Sequence, residues 1–242
     1  MNVKTLSMMA GVGGAMLLAA PSQADFTGMV AERIMMDNAG NAIPDNFVTL
    51  RIYATFSDAS DRGIGIVGSP SNPLSWMVSG GTFFDSAVGT DGPPLDALLG
   101  LPGLESLSYD SWITIGNNAG PTAGLTIAPG TGMTDGNGTI NGATEWNGGH
   151  LADSATNSAW TRTPDDPLTL AGDGLRVLVA QLTVAADSAD GSDVEVNGDM
   201  GVLIQEGGVN SEVAGTFTYI PAPGALALLG LAGLAGTRRR RA

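Results

Sequence analysis

Between Val48 and Phe56 the apolar residues fall on every second position. Val48, Leu50, Ile52, Ala54 and Phe56 alternate with residues that include Thr49, Arg51 and Thr55. A period of two puts the five apolar side chains on one face of an extended strand and the polar ones on the other. The segment reads as a half-buried strand. Phe26 to Met36 is expected to precede it as a hairpin partner, joined through Asp37-Asn38-Ala39-Gly40-Asn41, whose residues tolerate the positive φ of tight turns. Further strands are predicted at residues 64–67, 75–79, 82–85, 111–116, 175–185, 201–205 and 214–219. Leu175 to Val184 is apolar on both faces and is the best candidate for a central strand. Within 111–116 the alternation sends Trp112 and Thr114 to one face and Ile113 and Ile115 to the other.

The segment from Asp25 to Tyr219 holds 29 glycines, about twice the usual frequency, clustered with Asn, Asp, Ser and Thr between the strand patterns. Short strands divided by turns argue for an all-β antiparallel sandwich or jelly roll rather than a parallel α/β fold. One brief helix is expected at Pro94 to Leu99, opened by proline and stopped by Gly100. Asn117 to Asp173 is the least legible stretch. A loop that long is functional, disordered, or a sign of overlooked strands.

The two ends carry a different message. Lys4 precedes an apolar stretch from Leu6 to Leu18, and Ser22-Gln23-Ala24 places small residues at a cleavage position, so residues 1–24 read as a signal peptide cut between Ala24 and Asp25. At the other end, Tyr219 to Gly236 is an uncharged run of eighteen residues. As a helix it reaches about 27 Å, just enough to span a bilayer core. Arg238, Arg239, Arg240 and Arg241 follow it and should stay on the cytoplasmic side, leaving the body of the chain outside.

Residues 220–242 thus combine Pro221-Ala222-Pro223-Gly224, a transmembrane helix and an arginine cluster. Their order resembles the PEP-CTERM sorting domain of exported bacterial proteins, the substrates of exosortase. The resemblance covers Pro221 to Ala242, with Ala222 standing where the family carries glutamate. It implies a membrane enzyme that cuts near the motif, and two prolines keep that segment extended and out of the helix.

The remainder, residues 25–219, fits one domain with an ample core. It carries all 24 acidic residues, five arginines and no lysine, a balance that repels nucleic acid and can attract divalent cations. Cysteine is absent, which removes disulfides and thiolate chemistry. His150 is the single histidine, so multi-histidine zinc sites are excluded and no Ser-His-Asp pattern gathers around it.

Three features invite a functional reading, each with a plainer one beside it. Asp135, Asn137 and Thr139 offer oxygen donors at alternate positions of a turn, as calcium loops do, and Asp187, Asp190, Asp193 and Glu195 form a second acidic turn. Neither completes an EF-hand, and both serve equally as turns. Trp146 and Trp160 sit among polar residues and could stack on a sugar, or cover a small core. The scattered carboxylates could serve a glycosidase only as a pair in a defined pocket.

The expectation is an exported cell-envelope or extracellular-matrix protein with a structural or adhesive β-domain, not an enzyme, with no cofactor unless calcium. Its partners would be signal peptidase and the secretion machinery, an exosortase-like enzyme, the membrane through the C-terminal helix, and an extracellular polysaccharide. Nucleic acid is not among them. The alternatives are a carbohydrate-binding module using Trp146 and Trp160, or a secreted polysaccharide hydrolase.

Overall fold

The structure, a computed structural model, describes residues 25–116, 118, 124–127, 143, 145–146, 159–206 and 208–221. Its strands are β1 (Phe26–Ile34), β2 (Phe47–Phe56), β3 (Arg62–Val67), β4 (Ser75–Ser79), β5 (Gly81–Phe84) and β6 (Trp112–Ile113). They continue with β7 (Leu125–Ile127), β8 (Glu145–Trp146), β9 (Ala159–Arg162), β10 (Arg176–Ala186), β11 (Glu195–Glu206) and β12 (Val209–Tyr219). One sheet has the order β1-β2-β10-β5, with β6 also on β10; the other runs β7-β9-β3-β11-β4-β8, with β12 along β11. The ladders among the described residues are antiparallel. The predicted all-β, antiparallel class is what the chain adopts.

The first hairpin forms as its sequence suggests. Asp37 closes the turn: its Oδ1 accepts the amides of Ala39 and Asn41 at 2.9 and 2.8 Å, and Gly40 takes a φ of +85°. β2 then runs between β1 and β10 with Leu50 opposite Leu182 and Val48 opposite Val184. These four side chains are fully buried, facing a core that includes Ile66, Trp76, Val196 and Val202 of the second sheet. Each stabilises the fold by about 1.5–3 kcal/mol relative to exposure.

A register shift between Leu178 and Ala180 leaves Val179 as an extra residue in β10. Its carbonyl accepts the Trp160 indole N–H from the opposite sheet at 3.1 Å, and the Thr114 carbonyl accepts the same group at 3.0 Å. The bulge therefore supplies a polar link between the sheets inside an apolar core.

Two expectations are corrected and one left open is met by overlooked strands. Pro94 to Leu99 is not an α-helix; only Asp96–Leu98 turns, as a 3₁₀ segment that ends at Leu99, whose backbone is already extended (φ −67°, ψ 131°). The predicted 201–205 strand is only the second half of β11. Asn197-Gly198-Asp199 lies ahead of the predicted span, yet it pairs with both β4 and β12. Gly198 is there because two aromatic rings lie over it: a Cβ would come within 2.2 Å of Phe217 and 2.7 Å of Trp76. Finally, the stretch 117–173 holds β7, β8 and β9, which are two to four residues long and too short to show a period.

Candidate functional site

The outer face of the first sheet is polar, and its centre, around Thr49, Gln181 and Thr183, is as buried as the inner face. Thr49 and Thr183 are fully buried and their hydroxyls bond each other at 2.9 Å, while Arg51 Nε donates to Gln181 Oε1 at 3.5 Å. The chain between β5 and β6 covers them. Gln181 Nε2 donates to the Asp110 carbonyl at 2.8 Å, and Ser111 Oγ both donates to the Phe84 carbonyl at 2.5 Å and accepts the Thr183 amide at 2.9 Å. Phe47, Phe84 and Tyr109 stack beside this network with centroids 4.5–5.3 Å apart. Every polar group of the face that the cap withdraws from water needs such a replacement partner.

At the centre of the cap sit two aspartates. Asp110 is 0% and Asp85 5% exposed, and their carboxyls lie within hydrogen-bonding reach of each other. Asp110 Oδ1 accepts the Ser86 amide at 2.7 Å; Asp110 Oδ2 and Asp85 Oδ1 are buried without a hydrogen-bond partner. Gly89 presses on the pair so closely that a Cβ there would stand 1.9 Å from Asp110 Oδ2. Loss of hydration, then the neighbouring Asp85 charge, pushes the Asp110 carboxyl up to about 9, against the pull of the Ser86 amide. Loss of hydration also lifts Asp85, to about 6, with the Asp91 charge adding to it. Near neutral pH the two titrate as one unit that keeps a single proton.

Such a pair can hold a proton between two oxygens and so fasten Asp85, at the end of β5, to Asp110, just before β6. It is not arranged for glycoside hydrolysis. That chemistry needs carboxyls about 5–9.5 Å apart around a sugar, whereas these touch and are closed over. A cleft beside Trp112, Arg51 and Gln181 measures about 10 Å³, room for one water at most.

The anticipated site residues fare differently. Trp146 and Trp160 are 3% and 0% exposed, packed on Trp76 with centroids 4.3 and 5.9 Å from it. They are core residues, the plainer of the two readings given for them. Asp190 and Asp193 cap their own turn, accepting from the Ser192 amide and the Ser188 hydroxyl. Among the described residues no group of three or more His, Asp or Glu side chains is gathered to hold a metal. Ala24, Ala222, Pro223, Gly224, Arg238 to Arg241, the loop of Asp135, Asn137 and Thr139, and His150 lie outside the described residues. Asp25 is exposed, and Pro221 follows the last strand.

The acid pair itself was not anticipated. Asp85 closes one predicted strand and Asp110 stands just before another, where an aspartate is ordinarily solvated, and 24 intervening residues hide that Asp85 and Asp110 meet. Among the described residues no helix is long and apolar enough to cross a membrane. No protein-family model matches the chain, and no curated protein matches it.

Proposed function

We propose that this is an exported protein of the cell envelope or extracellular matrix, cut by signal peptidase, held briefly by its C-terminal helix and released by an exosortase-like enzyme. Its β-domain, read as a sandwich, serves a structural or adhesive role. The observation that carries this reading is the pairing of a leader ending at Ala24 with the Pro221-Ala222-Pro223, apolar, arginine sequence at the other end. The fold is compatible with it. β1 begins at Phe26 and β12 ends at Tyr219, so the described strands fall between the two expected processing points. The domain's stability needs no disulfide, and its acidic surface favours solubility outside the cell.

The test is mass spectrometry of tagged protein from cells with and without the sorting enzyme. The reading predicts loss of Arg238 to Arg241 with the enzyme present and their retention, in the membrane fraction, without it. Identical termini and location in both strains would refute it.

A further inference from the structure

A second buried acid, far in sequence from the pair, lies in the turn Asp58–Asp61 between β2 and β3. Asp61 is 2% exposed; its Oδ2 accepts the Asp58 amide at 3.0 Å, but its Oδ1 is buried without a hydrogen-bond partner. Its charged surroundings are negative. Burial first, then the Asp58 and Asp25 carboxylates, push the Asp61 carboxyl upward against the pull of neighbouring amides. The ion pairs of the described residues, Arg162–Asp166 and Arg176–Glu32, are elsewhere.

Asp25 is tied to this same turn at its backbone. Its N–H donates to Ser57 Oγ at 3.0 Å and its carbonyl accepts the Ser57 amide at 3.0 Å. The Ser57 amide also stands close enough to the Asp61 carboxylate to stabilise its charge. The backbone nitrogen of Asp25 therefore sits at the rim of an acidic turn that holds an unpaired buried oxygen. In the uncut chain that nitrogen is a neutral amide with one proton to donate.

We infer that the Asp58–Asp61 turn is a receptor for the chain's own mature N-terminal ammonium. This rests on the export reading and on cleavage before Asp25. Hydrolysis of the Ala24–Asp25 peptide bond gives the Ala24 carboxyl and a free Asp25 amine, which takes up a proton near neutral pH. One of its three N–H groups keeps Ser57 Oγ, and the others serve the carboxylates of Asp61 and Asp58. The new charge fastens the start of β1 to the end of β2. Folding is then favoured on the side of the membrane where the leader is removed.

The experiment compares Asp25–Ala242 in detergent with its α-amine free and with the same amine acetylated. The free form is expected to melt several degrees higher, and its α-amine to titrate above the ordinary α-amino range by nuclear magnetic resonance. Asp61→Asn should remove both differences. Equal melting temperatures and an ordinary α-amine titration in the wild-type chain would overturn the inference without recourse to any variant. N-terminal sequencing of the exported protein separates the two layers: a first residue other than Asp25 overturns the cleavage reading on which the docking depends.

Discussion

The inner face of the first sheet and the centre of its outer face are equally dry and are held by opposite means. On the inner face Leu50, Ile52, Leu182 and Val184 meet the tryptophans of the second sheet, and the contact is apolar area with the Trp160 indole hydrogen bonds across it. On the outer face Thr49, Arg51, Gln181 and Thr183 meet a cap through hydrogen bonds, with aromatic edges and a shared proton beside them. The first kind of burial is non-directional and indifferent to pH. The second is exact in its partners and changes with protonation, because an unpaired polar group there keeps its full desolvation cost.

This contrast can be broken most forcefully on the inner face. Trp76→Ala removes the ring around which Trp146, Trp160 and Phe217 gather, and should lower stability by about 3–5 kcal/mol. Denaturant melts at pH 5 and pH 8 should show the same loss. Next in size are two glycines, one on each side. Gly198→Ala drives a methyl into Phe217 and Trp76, and Gly89→Ala drives one into Asp110; each should cost about 1–3 kcal/mol. Hydrogen exchange would tell them apart, with Gly198→Ala loosening β11 and Gly89→Ala loosening the cap alone. Thr183→Val is smaller, about 1 kcal/mol, as it strands the Thr49 hydroxyl. A loss as large as that of Trp76→Ala would mean that the cap is part of the main core.

The sequence carries the inner face more plainly than the outer. Ser75–Ser79 appears where its pattern places it, and β2, β10 and the β1 hairpin need only a period of two and a turn with Asp37 and Gly40. That signal comes from burial on one face, so it fails where burial takes another form. Arg162 reads as surface, yet it is 4% exposed, with Nε donating to the Ile115 carbonyl at 3.1 Å and Nη1 paired with Asp166 at 2.8 Å. Gly198 falls outside the predicted 201–205 strand because its reason for being small sits on Phe217 and Trp76, far along the chain. Asp85 and Asp110 are hidden for the same cause. Nothing local distinguishes an aspartate that caps a turn from one that shares a proton with a partner across the cap.

The most direct test of that shared proton is the pH dependence of stability. Both carboxyls are raised above their ordinary value, so the folded chain binds more protons than the unfolded one between about pH 4 and pH 9. Their contribution is complete below about pH 4 and fades as pH climbs through about 6 and then about 9. Asp110→Asn keeps the shape of the protonated acid without the proton to lose. Melting of the wild-type and Asp110→Asn domains should be most nearly equal at or below about pH 4, with the variant increasingly the more stable toward pH 9. Parallel curves across that range, or a variant that weakens as pH rises, would contradict the account of the cap as a proton-held clasp.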